Sequence, residues 1–262
     1  FDRDGDLDLF LSGGRADNQL LRNRGDGTFA RVSLPPEVAL PGPSKAGVTW
    51  ADYDDDGWLD LYLAVLGPNV LFHNVPDPSG APGRALVPVE AGVEHDGHGR
   101  NAAWGDYDRD GRLDLYVVNG GSHVDALYHG EPDGWFTDRS ELVALPAPKP
   151  GYAATWTDYD DDGDLDLYVV SDHHTVNDLW RNDGPAPGDP GGGAWRFTNV
   201  SEPSGAGLSA DAMGIAVGDY DEDGDLDLFT SDIHRTNLLR NDLYGGPGRG
   251  LPGFTEVAEI GR

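Results

Sequence analysis

Residues Asp158 to Tyr168 read DYDDDGDLDLY, and the whole chain is organised around this stretch. Carboxylates fall at positions 1, 3, 5 and 9 of a loop, a glycine follows position 5, and an alternating apolar run comes next. Near copies begin at Asp52, Asp106 and Asp219, and an incomplete fifth copy opens the chain. Oxygen donors around a glycine turn, followed by apolar alternation, are the wiring of a calcium loop feeding a β-strand.

Aligning Gly5, Gly57, Gly111, Gly163 and Gly224 gives intervals of 52, 54, 52 and 61 residues. A sustained period near 50 means an array of one supersecondary unit. A first strand runs into the loop (47–53, 101–107, 152–159, 214–220) and the loop delivers a second (7–12, 59–65, 113–119, 165–171, 226–231). A third strand ends LLRN at Asn23, LFHN at Asn74, LWRN at Asn182 and LLRN at Asn241. A glycine-rich turn leads to a fourth, as in GDGTFARVS, DGWFTDRS, WRFTNVS and GFTEVAE. Four short antiparallel strands per unit predict an all-β propeller of about five blades, the first incomplete, in a single domain over residues 1–262. The Pro/Gly-rich insert Pro185 to Gly193 accounts for the longest interval. The chain starts at position 2 of a loop, so the expectation is a window on a larger propeller.

Composition agrees with this pattern. Only 38% of the 262 residues are hydrophobic, while 38 are Gly and 19 Pro, which favours short strands and turns. The 47 acidic residues outweigh 18 basic ones, for a formal charge of −29, and argue against a nucleic-acid or anionic-membrane partner. No apolar run reaches membrane-spanning length, so no membrane insertion is expected. The absence of cysteine removes disulfides and thiolate chemistry, leaving metal as the expected staple.

The predicted Ca²⁺ ligands are Asp52, Asp54, Asp56 and Asp60 with the Trp58 carbonyl, and Asp106, Asp108, Asp110 and Asp114 with the Arg112 carbonyl. Two more sets are Asp158, Asp160, Asp162 and Asp166 with Asp164 at position 7, and Asp219, Asp221, Asp223 and Asp227 with Asp225. These make four complete sites; Asp2, Asp4 and Asp8 form a partial one. An EF-hand would place a bidentate Glu at position 12 and an exiting helix, whereas Leu63, Val117, Val169 and Thr230 stand there within β-runs.

These loops, with the Trp-x-Asp-Tyr strand that precedes three of them, resemble FG-GAP (VCBS-type) repeats, the blades of integrin α-subunit propellers. RNRGDGTF (22–29) and FTNVSEPSGAGLS (197–209) make the chain similar more narrowly to the ASPIC/UnbV and cartilage-acidic-protein group. The resemblance implies a calcium-bearing, usually exported propeller, often seven-bladed, without a settled activity. Departures from it are the five units, the missing first half-blade, the lack of a C-terminal ASPIC-type segment, and His73 and His129 where the third strand usually carries Arg.

Arg24-Gly25-Asp26 invites an adhesion-ligand reading, but Gly25-Asp26-Gly27 is better explained as the turn closing a hairpin. Trp50, Trp104 and Trp156 recur two residues before the first loop Asp and read as repeat-core packing. Alternate turns of a meander lie at alternate ends of a blade. His95, His98, His123, His173, His174 and His234 therefore map to the face away from the acidic loops, with Lys45, Arg100, Lys149, Tyr152, Asp211 and Arg235. The expected function is a calcium-stabilised extracellular, cell-surface or periplasmic binding or adhesion module for a protein or glycan, recognising its ligand on that opposite face. An alternative is an enzyme or transition-metal site built from the histidine loops, such as a polysaccharide lyase or metal-dependent hydrolase. A third is a structural spacer within a larger surface protein.

Overall fold

The computed structural model describes residues 1–13, 16–39, 47–80, 83–121, 123–143, 149–187, 195–233, 236–243 and 253–260. Lys45, His234, Arg235 and residues 188–193 of the expected insert lie outside this set.

The repeats fold as five antiparallel sheets, the blades of a β-propeller. Blade I has three strands, Leu9–Leu11, Gln19–Asn23 and Phe29–Val32. Blade II is Gly47–Ala51, Asp60–Ala64, Val70–Pro76 and Arg84–Val89; blade III is Asp96–Gly105, Asp114–Asn119, Ala126–Gly130 and Phe136–Asp138. Blade IV is Gly151–Thr157, Asp166–Ser171, Asp178–Pro185 and Trp195–Asn199; blade V is Ala212–Gly218, Asp227–Asp232, Thr236–Asn241 and Phe254–Ile260.

The second strands explain how blades associate. Every residue of Asp60–Ala64, Asp114–Asn119 and Asp166–Ser171 is buried, so these strands are covered on both faces. The two-residue period then sends alternate side chains into different cores. Leu61 and Leu63 pack against Phe10 and Leu34 between blades I and II. Tyr62 and Ala64 meet Leu115 and Val117 between blades II and III. Tyr116 and Val118 meet Leu167 and Val169 between III and IV, and Tyr168 and Val170 meet Leu228 between IV and V. Among the described residues, four interblade cores thus follow one another in series. The buried tyrosines of the second strands each find an acceptor: Tyr62 donates to the Val93 carbonyl at 3.0 Å, Tyr116 to Asp125 at 2.9 Å and Tyr168 to the Ala206 carbonyl at 3.1 Å.

Trp50, Trp104 and Trp156 join these cores, as the repeat phase suggested. The first strand of blade III starts at Asp96, earlier than the predicted 101, because its leading end pairs with Leu66–Pro68 in the connection leaving blade II. Thr175–Val176 and Ser209–Ala210 make a matching ribbon between blades IV and V. These ribbons occupy the end of the molecule opposite the acidic loops.

Candidate metal loops and an interblade groove

Each acidic loop is assembled by its own aspartates. At position 1, Asp106, Asp158 and Asp219 accept from the backbone N–H groups of positions 5 and 6, at 3.0–3.1 Å. At position 5, Asp56, Asp110, Asp162 and Asp223 accept from the N–H of position 7 at 2.8–3.0 Å. Such side-chain-to-backbone turns suit short acidic residues. The path also needs two left-handed residues. Position 4 has φ of 55–62° at Arg3, Asp55, Arg109, Asp161 and Glu222, and the following glycine has φ of 87–99°. All five copies therefore share one backbone conformation, including the incomplete first, where Asp4 accepts from Asp6 N–H at 3.0 Å.

Position 9 has a different role. Asp114 accepts from Tyr107 N–H and Gly130 N–H, both at 2.9 Å, pinning the end of the first strand to the end of the third. Asp166 does the same with Tyr159 (3.1 Å) and Asn182 (2.8 Å), and Asp227 with Tyr220 (2.9 Å) and Asn241 (2.8 Å). Asp60 accepts from Asn74 N–H at 2.8 Å, and Asp8 from Asn23 N–H at 2.8 Å and from the Phe1 ammonium at 2.6 Å.

These carboxylates converge. Oxygens of Asp52, Asp54 and Asp60 lie within 4.8 Å of one another, as do those of Asp106, Asp108 and Asp114, and of Asp158, Asp160 and Asp166. Several oxygens in the clusters have no hydrogen-bond donor although they are buried: Asp52 Oδ1, Asp60 Oδ2 and Asp160 Oδ1. Asp2 Oδ1 in the first loop is in the same state. Burial and neighbouring charge push Asp60 and Asp114 up to about 7, Asp160 to about 6 and Asp166 to about 8. A donor set of closely spaced carboxylate oxygens with unused lone pairs fits a hard divalent cation. Of the residues expected at position 7, Asp164 forms an ion pair with Arg109 of the preceding loop at 2.8 Å, and Trp58 is stacked beneath Arg84 at 3.9 Å. Arg112 reaches Asp110 of its own loop.

A function that the sequence reading missed belongs to the asparagine ending the third strand. Asn182 Nδ2 donates to the Leu165 carbonyl of its own loop at 3.2 Å and to the Tyr107 carbonyl of the preceding blade at 2.8 Å. Asn241 joins Leu226 and Tyr159 (3.3 and 2.6 Å), and Asn74 joins Leu59 and Phe1 (both 3.0 Å). This Asn ties consecutive loops together. Its recurrence in L-x-R/H-N was the available signal. Blade III carries Gly130 at this position, so it has no side chain to reach blade II. At that junction a groove of about 950 Å³ opens, lined by Asp52 to Asp55, Glu90, Gly111 to Leu113 and Glu131 to Trp135. Trp135 is 48% exposed and its indole rests against Gly92, where an added Cβ would come within 2.9 Å of the ring.

The histidines expected to share one face are distributed over its connections. His98 lies in the ribbon with Leu66, and His95 Nδ1 is buried beside Gly97. His123 is exposed in the connection between the second and third strands of blade III. His173 and His174 form a left-handed turn (φ 58° and 54°) with side chains 76% and 74% exposed, and Asp211 pairs with His174 at 3.4 Å. His234 lies outside the described residues. Arg24-Gly25-Asp26 is a hairpin turn: Arg24 N–H donates to the Thr28 carbonyl at 3.0 Å and Asp26 accepts from Thr28 N–H and Oγ1 at 2.9 and 2.6 Å.

Comparison with known proteins places these features in a lineage. An Agrocybe aegerita lectin, solved for its specific recognition of non-reducing terminal N-acetylglucosamine, aligns with 95% of this chain and 64% of its own at a TM-score of 0.54 and 14% identity, a likeness of fold. Cartilage acidic protein 1 of Homo sapiens and of Mus musculus is 31% identical over 175 residues, 63% of this chain. The match spans 24% of the human protein and 25% of the mouse protein, so this chain corresponds to about a quarter of each. The FG-GAP-like repeat pattern matches residues 1–63, 106–169 and 158–230, most of the chain, which therefore belongs to the FG-GAP-like repeat family.

Proposed function

We propose that the protein is a calcium-stabilised extracellular binding module. The observation that carries the calcium assignment is the set of buried, donorless oxygens on Asp52, Asp60 and Asp160 within carboxylate clusters repeated in register. Asp52, Asp54, Asp56 and Asp60 and their counterparts in blades III to V would hold the ion, supplying hard oxygen ligands. Calcium offsets the like-charge repulsion in each loop and locks the turn joining first and second strands, so blade order is linked to metal. Millimolar Ca²⁺ is expected to raise the melting temperature well above that in chelator; coincident melting curves would overturn the assignment.

Recognition belongs at the groove between blades II and III. An exposed indole beside a row of hydrogen-bond acceptors suits a saccharide, whose apolar ring face stacks while its hydroxyls donate. The related fold of a lectin that recognises N-acetylglucosamine is compatible with that reading. Screening the Ca²⁺-loaded protein and its Trp135→Ala variant on a glycan array tests it. Binding lost in the variant supports the site; binding retained, or no glycan bound, shifts the reading to a protein ligand or to another surface.

A further inference from the structure

The third strands of blades I, IV and V carry Arg22, Arg181 and Arg240 where blades II and III carry His73 and His129. Arg181 and Arg240 donate through Nε to Asp183 and Asp242 beyond the strand, at 2.8 Å. The two histidines turn toward theirs. His73 Nε2 lies 3.2 Å from Asp54 Oδ2 and 3.3 Å from Asp56 Oδ2. His129 Nε2 lies 3.1 Å from Asp108 Oδ2 and 3.2 Å from Asp110 Oδ2. In each blade the imidazole nitrogen and both carboxylate oxygens fall within a 4.8 Å sphere of mutual distance.

We propose that blades II and III bind a divalent transition ion of the zinc class through a mixed nitrogen and oxygen donor set: His73 with Asp54 and Asp56, and His129 with Asp108 and Asp110. Metal–ligand bonds of about 2.0–2.2 Å set adjacent donors roughly 3.0–3.5 Å apart in octahedral to tetrahedral geometry, which matches the observed separations. Imidazole moves the preference of an otherwise all-oxygen loop from calcium toward borderline metals.

One further feature of each blade bears on its site. In blade II, Asp60 is 1% exposed and its Oδ2 has no hydrogen-bond donor, leaving a further acceptor beside Asp54. In blade III, His129 Nδ1 lies 3.4 Å from Glu131 Oε1, which itself accepts from Thr137 Oγ1 at 2.8 Å. A carboxylate behind the imidazole fixes its tautomer and aims the other nitrogen at the metal. Arg112 also contacts Asp110 and must release it when the ion binds, whereas the same position in blade II is Trp58. Both sites share loop carboxylates with the calcium reading above, on which this proposal rests, so in blades II and III the transition ion would replace calcium at Asp54 and Asp56 and at Asp108 and Asp110, while the loops without a histidine keep calcium.

The test is a Zn²⁺ titration of the full chain in millimolar Ca²⁺, followed by calorimetry and by the imidazole resonances in NMR. About two Zn²⁺ per chain are expected, with His73 and His129 resonances shifting. The double variant His73→Gln, His129→Gln should lose both equivalents yet keep its Ca²⁺-dependent rise in melting temperature. Glu131→Gln should weaken one equivalent by about 10–100-fold and leave the other unchanged. Zn²⁺ uptake equal in wild type and double variant, or no uptake at all, would show that the imidazoles serve only as counter-ions to the loop and would overturn the proposal. If Ca²⁺ fails to raise the melting temperature of any form, the calcium assignment falls, while the direct Zn²⁺ measurement still decides this one.

Discussion

Asp125 shows how one buried carboxylate acquires a thermodynamic signature. It accepts from Tyr116 Oη at 2.9 Å and Asn119 N–H at 2.7 Å, with Asp178 and Lys149 nearby. Burial, reinforced by Asp178, raises it to about 7 although both hydrogen bonds and Lys149 oppose the shift. The native state thus holds a proton that the unfolded chain releases near pH 4. Asp125 favours folding fully below that point, loses the advantage as pH rises to about 7, and contributes a constant penalty above it. Asp125→Asn should flatten the fall in stability between about pH 4 and 7, an effect on the order of a few kcal/mol, read from urea midpoints at pH 5 and 8. An undiminished slope in the variant would show that the titrating group lies elsewhere. The interblade asparagines make a second case. Asn182→Ala removes three hydrogen bonds, two of them to the Tyr107 and Leu165 carbonyls and one from Gly184 N–H, in a fully buried setting. A loss of about 2–4 kcal/mol is expected, against less than about 1 kcal/mol for the half-exposed Asn23→Ala. Neither position looked functional in the sequence, because a bond between repeats has no signature within one repeat.

The second strand is the element on which blade packing turns. Its sequence, D-L-Y-x-x, alternates less by polarity than by size, and in blades II to IV both faces are covered. Period-2 reasoning identified the strand but left open whether its second face met solvent or a neighbouring sheet. The answer varies with position in the array. Leu167 is wholly buried, while Leu9, its counterpart in blade I, is 46% exposed. Leu167→Ala should cost about 2.5–5 kcal/mol and Leu9→Ala under about 1 kcal/mol; similar costs measured by chemical denaturation would contradict the series of interblade cores. The acidic loop was more fully legible. The glycine recurs in the left-handed region in all five copies, and the position-9 aspartates of blades III to V accept from the end of the first strand, because a left-handed turn and clustered carboxylates leave few alternatives to the local chemistry.

For the molecule as a whole, the acidic loops of neighbouring blades are linked through their charges. Position 4 of one loop faces position 7 of the next: Arg109 pairs with Asp164 between blades III and IV, while Asp161 and Asp225 face each other as like charges between blades IV and V. Unfolding in chelator should therefore begin at the IV–V junction, where hydrogen exchange of strands 227–232 is expected to accelerate before that of strands 114–119; uniform exchange would argue for a single cooperative unit. The sequence alone determined the all-β repeat, its phase and the loops able to hold cations, since each follows from short-range rules of turn, alternation and donor spacing. Tertiary structure decided the rest. It showed that a groove opens between blades II and III, where Gly130 stands in place of the tethering asparagine, and that His73 and His129 reach the carboxylates of the acidic loops. These are relations between segments some 15 to 80 residues apart, and only the approach of folded blades brings such groups within reach of one another.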